Sequence, residues 1–299
     1  MPIRTHHAYA LPLLLVGAVC IAFAPIFVRL SELGPLATAF YRVTLALPVL
    51  WLLVGRDSGR ALPSGGLRRR DWLYLSLAGV LFALDLMAWH FSIMLTSVAN
   101  STLLANFAPV FVTAGSWLLF KERTSGKFLF ALALGVLGAA IMMGDSLRLD
   151  KEHLLGDALG LLTAVFYGGY ILTVSRLRRH FSTLLIMGVS ALVSSLMLFP
   201  VALYVETDML AVTAYGWAIL LGLALISHAG GQGLITFSLA HLPAAFSSLT
   251  LLLQPVTAAM LAWWLLDEPL RAWQSIGALM VLWAIVLARL ERTPVSVSK

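Results

Sequence analysis

The sequence is poor in charged residues and in cysteine. Only 11% of its 299 residues are charged and 60% are hydrophobic, whereas soluble domains carry about 25% charged residues. So few charges cannot cover the water-facing surface of a chain this long, which excludes a soluble enzyme, a disordered protein and a secreted disulfide-rich scaffold. The single cysteine, Cys20, has no second cysteine with which to form an internal disulfide.

Apolar segments of membrane-spanning length fill most of the chain. A helix needs about 20 mostly apolar residues to cross the hydrocarbon core of a bilayer, and ten segments reach or approach this length. The predicted spans are residues 11–29, 36–54, 73–93, 98–119, 128–143, 156–177, 184–204, 215–238, 243–265 and 272–288. The sequence therefore predicts an all-α integral membrane protein with ten transmembrane helices.

The basic residues predict how these spans are oriented. Of the 20 lysines and arginines, 15 fall in segments on the side of the N-terminus, 4 fall on the other side, and Arg42 lies within a span. Because lysine and arginine are enriched in cytoplasmic loops, we expect both termini in the cytoplasm. The same bias explains the basic isoelectric point, so nucleic acid is not expected as a partner.

The second half of the chain repeats the first. Each half holds five predicted helices, and because five is an odd number the second copy enters the membrane from the opposite side. We therefore predict two inverted five-helix repeats, residues 1–148 and 149–299, an architecture from which many secondary transporters are built. A shift of 146 residues aligns Pro109 with Pro255, Trp117 with Trp263, and Glu122 with Glu268.

Two stretches carry a resemblance to a known family. Residues 88–123, AWHFSIMLTSVANSTLLANFAPVFVTAGSWLLFKER, and residues 237–269, which end in WWLLDEP, resemble the EamA domain of the drug/metabolite transporter superfamily. Within that superfamily the chain is most similar to aromatic amino acid exporters of the YddG type. The resemblance implies ten helices around a central cavity and efflux of metabolites from a bacterial cytoplasm, which would place the chain in the inner membrane.

Polar residues at membrane depth are the first candidates for substrate binding, because they are costly to bury there. Asp85 is the carboxylate nearest the middle of a span, where it could bind the ammonium group of a substrate, exchange a proton, or be neutralised in packing. Trp89 lies one turn further on the same face. His228 shares a face with Gln232, and since histidine titrates near neutral pH it is a candidate proton carrier as well as a candidate packing residue.

Other residues are candidates for lining the pathway or for bending helices. Pro109 and Pro255 each remove a backbone hydrogen bond in mid-helix, which predicts kinks that serve as hinges or as fixed bends. Pro25, Gly230 and Gly231 are candidates for the same role. The remaining candidates for substrate contact are aromatic or amide side chains, namely Phe23, Asn106, Tyr167, Tyr170 and Gln254.

Two further features favour a structural role. Arg42 is expected to extend toward the membrane surface or to pair with Glu32 rather than to contact substrate. A stripe of small residues in the sixth span predicts close packing on a neighbouring helix. The stripe consists of Gly156, Gly160, Ala164 and Gly168.

The sequence thus favours a secondary transporter that exports amino acids with aromatic or apolar side chains, and related small metabolites, by alternating access between its halves. The alternatives are a multidrug or other metabolite carrier of the same fold, an intramembrane enzyme, or a channel. The chain contains no P-loop, no H-E-x-x-H and no G-x-S-x-G, so neither nucleotide, cofactor nor metal is expected. The expected partners are a small-molecule substrate and membrane lipid, with the chain acting as a monomer.

Overall fold

A computed structural model describes residues 4–56, 66–96, 98–144, 153–266 and 271–291. These residues contain ten helical spans that are long and apolar enough to cross a membrane, and no strand occurs among them. The predicted all-α class and the predicted number of spans are confirmed. The protein is a multi-pass membrane protein, and many large apolar side chains of its spans are exposed on the outside of the helix bundle.

The ten spans comprise fifteen α-helical segments and one π-helix. Spans one to five are α1 (Arg4–Ala22) with α2 (Ala24–Leu30), α3 (Pro35–Thr44) with α4 (Leu47–Arg56), α5 (Arg69–Leu95), α6 (Val98–Ala105) with α7 (Ala108–Phe120), and α8 (Gly126–Met143). Spans six to ten are α9 (Leu154–Leu177), α10 (Thr183–Val205), α11 (Ala214–Gly222) with a π-helix (Leu223–Gln232) and α12 (Gly233–Ser238), α13 (Ala244–Thr250) with α14 (Leu253–Leu266), and α15 (Ala272–Leu290).

Successive spans run in opposite directions, so their ends lie on two faces. The face that holds the start of α1 and the end of α15 is named the N-terminal face. The hydroxyl of Ser238, at the end of span eight, donates to the carbonyl of Ala10 in span one there, at 3.0 Å. Arg178, after span six, donates from Nε to the carbonyl of Thr236 at 3.2 Å on the same face, and burial lowers the pKa of this guanidinium.

Four spans are broken just before a proline. The breaks precede Pro25, Pro48, Pro109 and Pro255. A proline has no N–H, so the carbonyl four residues earlier loses its helical partner. The predicted kinks at Pro25, Pro109 and Pro255 are present, and Pro48 adds one that the sequence analysis did not single out. Pro200 lies within the continuous helix α10, so proline alone does not break a span here.

Span eight is irregular where the sequence analysis expected a bend. Residues Leu223–Gln232 form a π-helix, which includes Gly230 and Gly231. A Cβ on Gly231 would lie 2.7 Å from the side chain of Ile21, because span eight packs closely against span one at this point. Close packing therefore accounts for the glycine at this position.

The small-residue stripe of α9 lies against spans three and four, as predicted. A Cβ added to Gly156 would approach Thr96 to 2.8 Å, and one on Gly160 would approach Leu104 to 3.1 Å. Side chains larger than hydrogen would push these helices apart. The stripe thus fixes the position of α9 against the other repeat.

Two glutamates join the repeats on the face opposite the N-terminal face. Glu32, between α2 and α3, accepts hydrogen bonds from the hydroxyl and the N–H of Thr213 and from the N–H of Val212 at the start of α11. Glu206, between α10 and α11, accepts a hydrogen bond from the N–H of Leu36 at 2.8 Å, in the first turn of α3. Each carboxylate therefore caps a helix of the other repeat, where the helix dipole favours a negative charge. We name Glu32 and Glu206 the carboxylate clamp.

The clamp corrects one prediction. Arg42 was expected to pair with Glu32 or to extend to the surface, and this is wrong, because Glu32 bonds to the start of α11 and Arg42 is buried. The hydrogen bonds from Thr213 hold the pKa of Glu32 below the usual value for a glutamate. The carboxylate therefore stays ionised at neutral pH.

Candidate functional site

A cavity of about 140 Å³ lies between the two repeats, near the middle of the spans. Seven spans contribute to its wall, namely spans one, two, three, four, six, eight and nine. Twelve of the 21 lining residues are apolar and nine are polar. The polar residues are Arg42, Asp85, Thr102, Asn106, Thr163, Tyr167, Gln232, Ser248 and Gln254.

Asp85 supplies the negative charge of the cavity. Its side chain lies in the middle of α5 and the residue is only 8% exposed. Within the described residues, the opposite charge that acts on its carboxylate is that of Arg42. Trp89, one turn further along α5, lines the cavity beside it. A carboxylate held at membrane depth next to an indole can bind a cation that carries an apolar group.

Arg42 supplies a positive charge that the sequence analysis assigned to the surface. It belongs to α3, is 7% exposed, and lines the same cavity as Asp85. Its guanidinium carbon lies 5.8 Å from the centre of the Phe82 ring. The one available signal was its position within a span, where arginine is rare and often functional.

Phenol and amide groups complete the polar wall. The Tyr167 hydroxyl donates to Oε1 of Gln232 at 3.5 Å. Within the described part of the chain, the side-chain nitrogens of Gln232 and Asn106 are buried without a hydrogen-bond partner. A buried donor without a partner costs about 1–3 kcal/mol. Both amides therefore carry unsatisfied donors in the wall of the cavity.

Eight of the predicted site residues line this cavity, and the others lie elsewhere. The eight are Asp85, Trp89, Asn106, Tyr167, Gln232, Gln254, Pro25 and Pro109. Phe23 stacks on Phe27, with ring centres 6.1 Å apart. Pro255, Gly230 and Gly231 lie next to lining residues without belonging to the wall.

Tyr170 and His228 form a layer behind the wall. Both rings contact Phe82, with centres 5.0 Å and 5.3 Å away, and Phe82 itself lines the cavity. Neither nitrogen of His228 has a hydrogen-bond partner among the described residues. The two residues thus reach the cavity through Phe82 rather than directly, and their predicted contact with substrate stays a prediction.

Sequence reasoning missed the apolar part of the wall. Ile21, Leu86, Ile171 and Leu252 line the cavity, but helices of this protein are apolar on most faces. An apolar residue that faces the cavity therefore has the same sequence pattern as one that faces a neighbouring helix or lipid.

Spans four and nine occupy equivalent places in the two repeats and are arranged unequally. Segment α7 packs against α13 near the N-terminal face. The repeat relates this pair to α6 and α14, which make little or no contact among the described residues. The two spans are therefore closed together on the N-terminal face and diverge toward the opposite face.

The comparisons with known proteins agree with this architecture. The chain belongs to the EamA-like transporter family, whose model matches residues 8–144 and 154–290. The predicted resemblance to the drug/metabolite transporter superfamily is confirmed, and the protein is a transporter of that class. A solved crystal structure with 14% sequence identity has the same fold, with a TM-score of 0.79, and the match covers 95% of this chain and 97% of that one.

Several curated relatives are transporters by name. The chain is 26% identical over 254 residues to the pseudopaline exporter CntI of Pseudomonas aeruginosa, which covers 85% of this chain and 86% of the relative. It is 25% identical over 280 residues to an uncharacterized transporter of Archaeoglobus fulgidus, covering 92% and 94% of the two chains. A second such transporter from that organism is 29% identical over 177 residues, which is 58% of each chain.

Proposed function

We propose that this protein is a secondary transporter that exports amino acids with aromatic or apolar side chains, and related small metabolites, across the bacterial cytoplasmic membrane. The observation that carries the proposal is the mid-membrane cavity between two inverted repeats, in which Asp85 lies beside Trp89 and Tyr167. The carboxylate would bind the α-ammonium group of the substrate, and the apolar and aromatic wall would hold its side chain.

The size of the cavity supports a small substrate. Its volume of about 140 Å³ is close to the ~150 Å³ of an apolar protein cavity that binds benzene. A single aromatic ring or branched apolar side chain is therefore of the right scale. The polar groups along the wall suit a ligand with one compact polar head.

The unequal packing of spans four and nine supports alternating access. If the N-terminal face is cytoplasmic, the conformation described here is closed toward the cytoplasm. The inverted repeat supplies the second state, in which α7 separates from α13 and α6 packs against α14. Asp85 would be exposed first to one side and then to the other, so that a proton and the substrate ammonium group compete for one carboxylate.

Transport by the purified protein in liposomes tests this proposal. We expect saturable uptake of radiolabelled aromatic or apolar amino acids, competition within that chemical class, and counterflow when the liposomes are preloaded. An imposed pH gradient should accelerate uptake if protons compete at Asp85. Absence of saturable amino acid uptake, by protein shown to be folded, would overturn the proposal.

A second candidate substrate class comes from one relative. The name of the pseudopaline exporter of Pseudomonas aeruginosa favours export of another small metabolite by the same fold. Saturable uptake of such a compound, without competition by any amino acid, would select this candidate.

A further inference from the structure

We propose that Arg42 binds the carboxylate of the substrate, so that Arg42 and Asp85 form two opposite poles that select zwitterions. This inference rests on the proposed function, since it assigns a second contact within the same cavity. It differs from the prediction made from the sequence, in which Arg42 extends toward the membrane surface or pairs with Glu32.

The buried guanidinium of Arg42 is incompletely hydrogen-bonded within the described part of the chain. Arg42 is 7% exposed, and within the described residues its Nε is buried without a hydrogen-bond acceptor. A buried guanidinium with an N–H group that lacks an acceptor is costly. The Phe82 ring, 5.8 Å from the guanidinium carbon, stabilises the cation in part but accepts no bond from Nε.

Within the described part of the chain, Arg42 interacts with Asp85 through its charge rather than through a close ion pair. Asp85 lines the same cavity and its charge interacts with that of Arg42, but among the described residues no hydrogen bond joins the two side chains. Two opposite charges that line one cavity without a hydrogen bond between them can each bind one end of a dipolar ligand. An α-amino acid carries an ammonium group and a carboxylate on one carbon, and it would neutralise both poles at once.

Arginine is chemically suited to bind a carboxylate. The guanidinium is planar and presents several N–H donors in a fork that matches the two oxygens of a carboxylate. Apart from Asp85, the other polar side chains of the wall are uncharged, namely Thr102, Asn106, Thr163, Tyr167, Gln232, Ser248 and Gln254. Arg42 is therefore the side chain of the wall suited to bind a carboxylate with two hydrogen bonds.

Two poles make a clear prediction about ligand selectivity. Phenylalanine has both charged groups, phenylalaninamide lacks the negative charge, and 2-phenylethylamine lacks the carboxylate entirely. All three share the same ring. If Arg42 binds the carboxylate, the wild-type protein prefers phenylalanine over the other two by about tenfold or more, as expected for a hydrogen bond between charged groups.

The experiment measures binding of these three probes to the wild-type protein and to the Arg42→Gln variant by calorimetry, with thermal unfolding as a check of the fold. We expect Arg42→Gln to weaken phenylalanine binding by about tenfold or more and to leave the two amines nearly unchanged, so that the preference disappears. Arg289→Gln, at the exposed end of α15, is the matched control and should retain the wild-type preference.

The outcomes are distinct. An unchanged ratio of phenylalanine to phenylalaninamide affinity in Arg42→Gln would overturn the inference and leave the proposed function intact. A wild-type protein that binds none of the three probes would overturn the proposed function. Arg42→Lys preserves the charge without the fork, and serves if Arg42→Gln does not fold. The Arg42→Lys variant should prefer phenylalanine over the two amines less strongly than the wild-type protein does. An unchanged preference would again overturn the inference.

Discussion

Phe82 and His228 occupy equivalent positions in the two repeats, 146 residues apart, and their rings contact each other with centres 5.3 Å apart. A residue can touch its counterpart in the other repeat only close to the axis that relates the two. The pseudo-two-fold axis therefore passes between α5 and the π-helix of span eight. Because Phe82 also lines the cavity, the candidate site lies beside this axis. When two inverted repeats exchange conformations, a site near their axis opens first to one side of the membrane and then to the other.

The first prediction concerns His228. Replacing it with phenylalanine makes the pair with Phe82 symmetric and removes two buried nitrogens that have no partner among the described residues. We expect His228→Phe to be neutral or to stabilise the fold by about 1 kcal/mol, measured by thermal unfolding, and to retain transport. A folded variant that has lost transport, or whose pH profile has shifted, would make His228 a proton carrier instead.

Asp85→Asn should affect binding and its response to pH. The amide has nearly the same shape but no charge, so we expect affinity for amino acids to fall by about tenfold or more. Uptake in liposomes should also lose its acceleration by a pH gradient. Asp208→Asn, in the exposed loop before α11, is the matched control and should behave as the wild-type protein. Unchanged transport by Asp85→Asn at every pH would remove Asp85 from the mechanism.

Local sequence patterns were sufficient to predict the spans, the inverted repeat and the positions of the kinks. Apolar length predicts a span, and a proline disrupts a helix through its own missing N–H, so neither prediction depends on distant contacts. The cavity wall does depend on them. Ile171 lines the cavity and Tyr170, its neighbour in α9, packs behind Phe82, and the all-round apolar character of α9 gives no signal that separates the two.

Arg42 shows the same limit for a polar residue. A long basic side chain near the end of a span usually extends to the membrane surface, and the sequence does not reveal that α3 turns this one toward α5. The carboxylate clamp could also not be predicted from the sequence. Glu32 and Glu206 bond to residues about 170 to 180 positions away in the chain, and no local pattern encodes that pairing.

The clamp predicts how stability depends on pH. Hydrogen bonds from Thr213 lower the pKa of Glu32 in the folded protein, so ionised Glu32 stabilises the fold above the pKa that glutamate has in the unfolded chain, about 4.3. This contribution is lost as the pH falls below that value toward the lower folded pKa. We expect Glu32→Gln to reduce the thermal unfolding temperature at pH 7, and the difference from the wild-type protein to shrink in acid.

Asp208→Asn is again the control for the clamp, because Asp208 lies in the same loop as Glu206 and accepts a hydrogen bond from its neighbour Thr207. It should leave the unfolding temperature unchanged. An equal difference between Glu32→Gln and the wild-type protein at pH 7 and at pH 3.5 would contradict the role of the ionised carboxylate.

Membrane orientation can be tested with single cysteines. The one native cysteine is first replaced in a Cys20→Ala background. His180, between spans six and seven, and Thr207, between spans seven and eight, are both exposed and lie on opposite faces. We expect an impermeant thiol reagent applied to intact cells to label Thr207→Cys and not His180→Cys. The reverse pattern would place the N-terminal face outside, and it would invert the proposed direction of opening.

Pro109→Ala and Pro255→Ala test whether the helix breaks act as hinges. Alanine restores an N–H that can bond to the carbonyl of Ala105 or Leu251, so each variant favours a continuous and stiffer span. We expect the maximal rate of uptake to fall several-fold, with a smaller change in the concentration at half-maximal rate, since the hinge acts on the motion between states rather than on the ligand. Liposome uptake measured over a range of substrate concentrations separates the two quantities.

Pro200→Ala is the matched control for the hinges, because Pro200 lies in the unbroken helix α10, and it should leave the rate unchanged. The two hinge variants should slow transport to a similar extent, because spans four and nine exchange roles when the repeats exchange conformations. If both transport at the wild-type rate, the breaks are fixed bends that shape the cavity, and the motion must be sought in the packing of α7 against α13. If one variant alone slows transport, the two gates contribute unequally to the motion. The packing of α7 on α13 and of α6 on α14 is also unequal in the conformation described here.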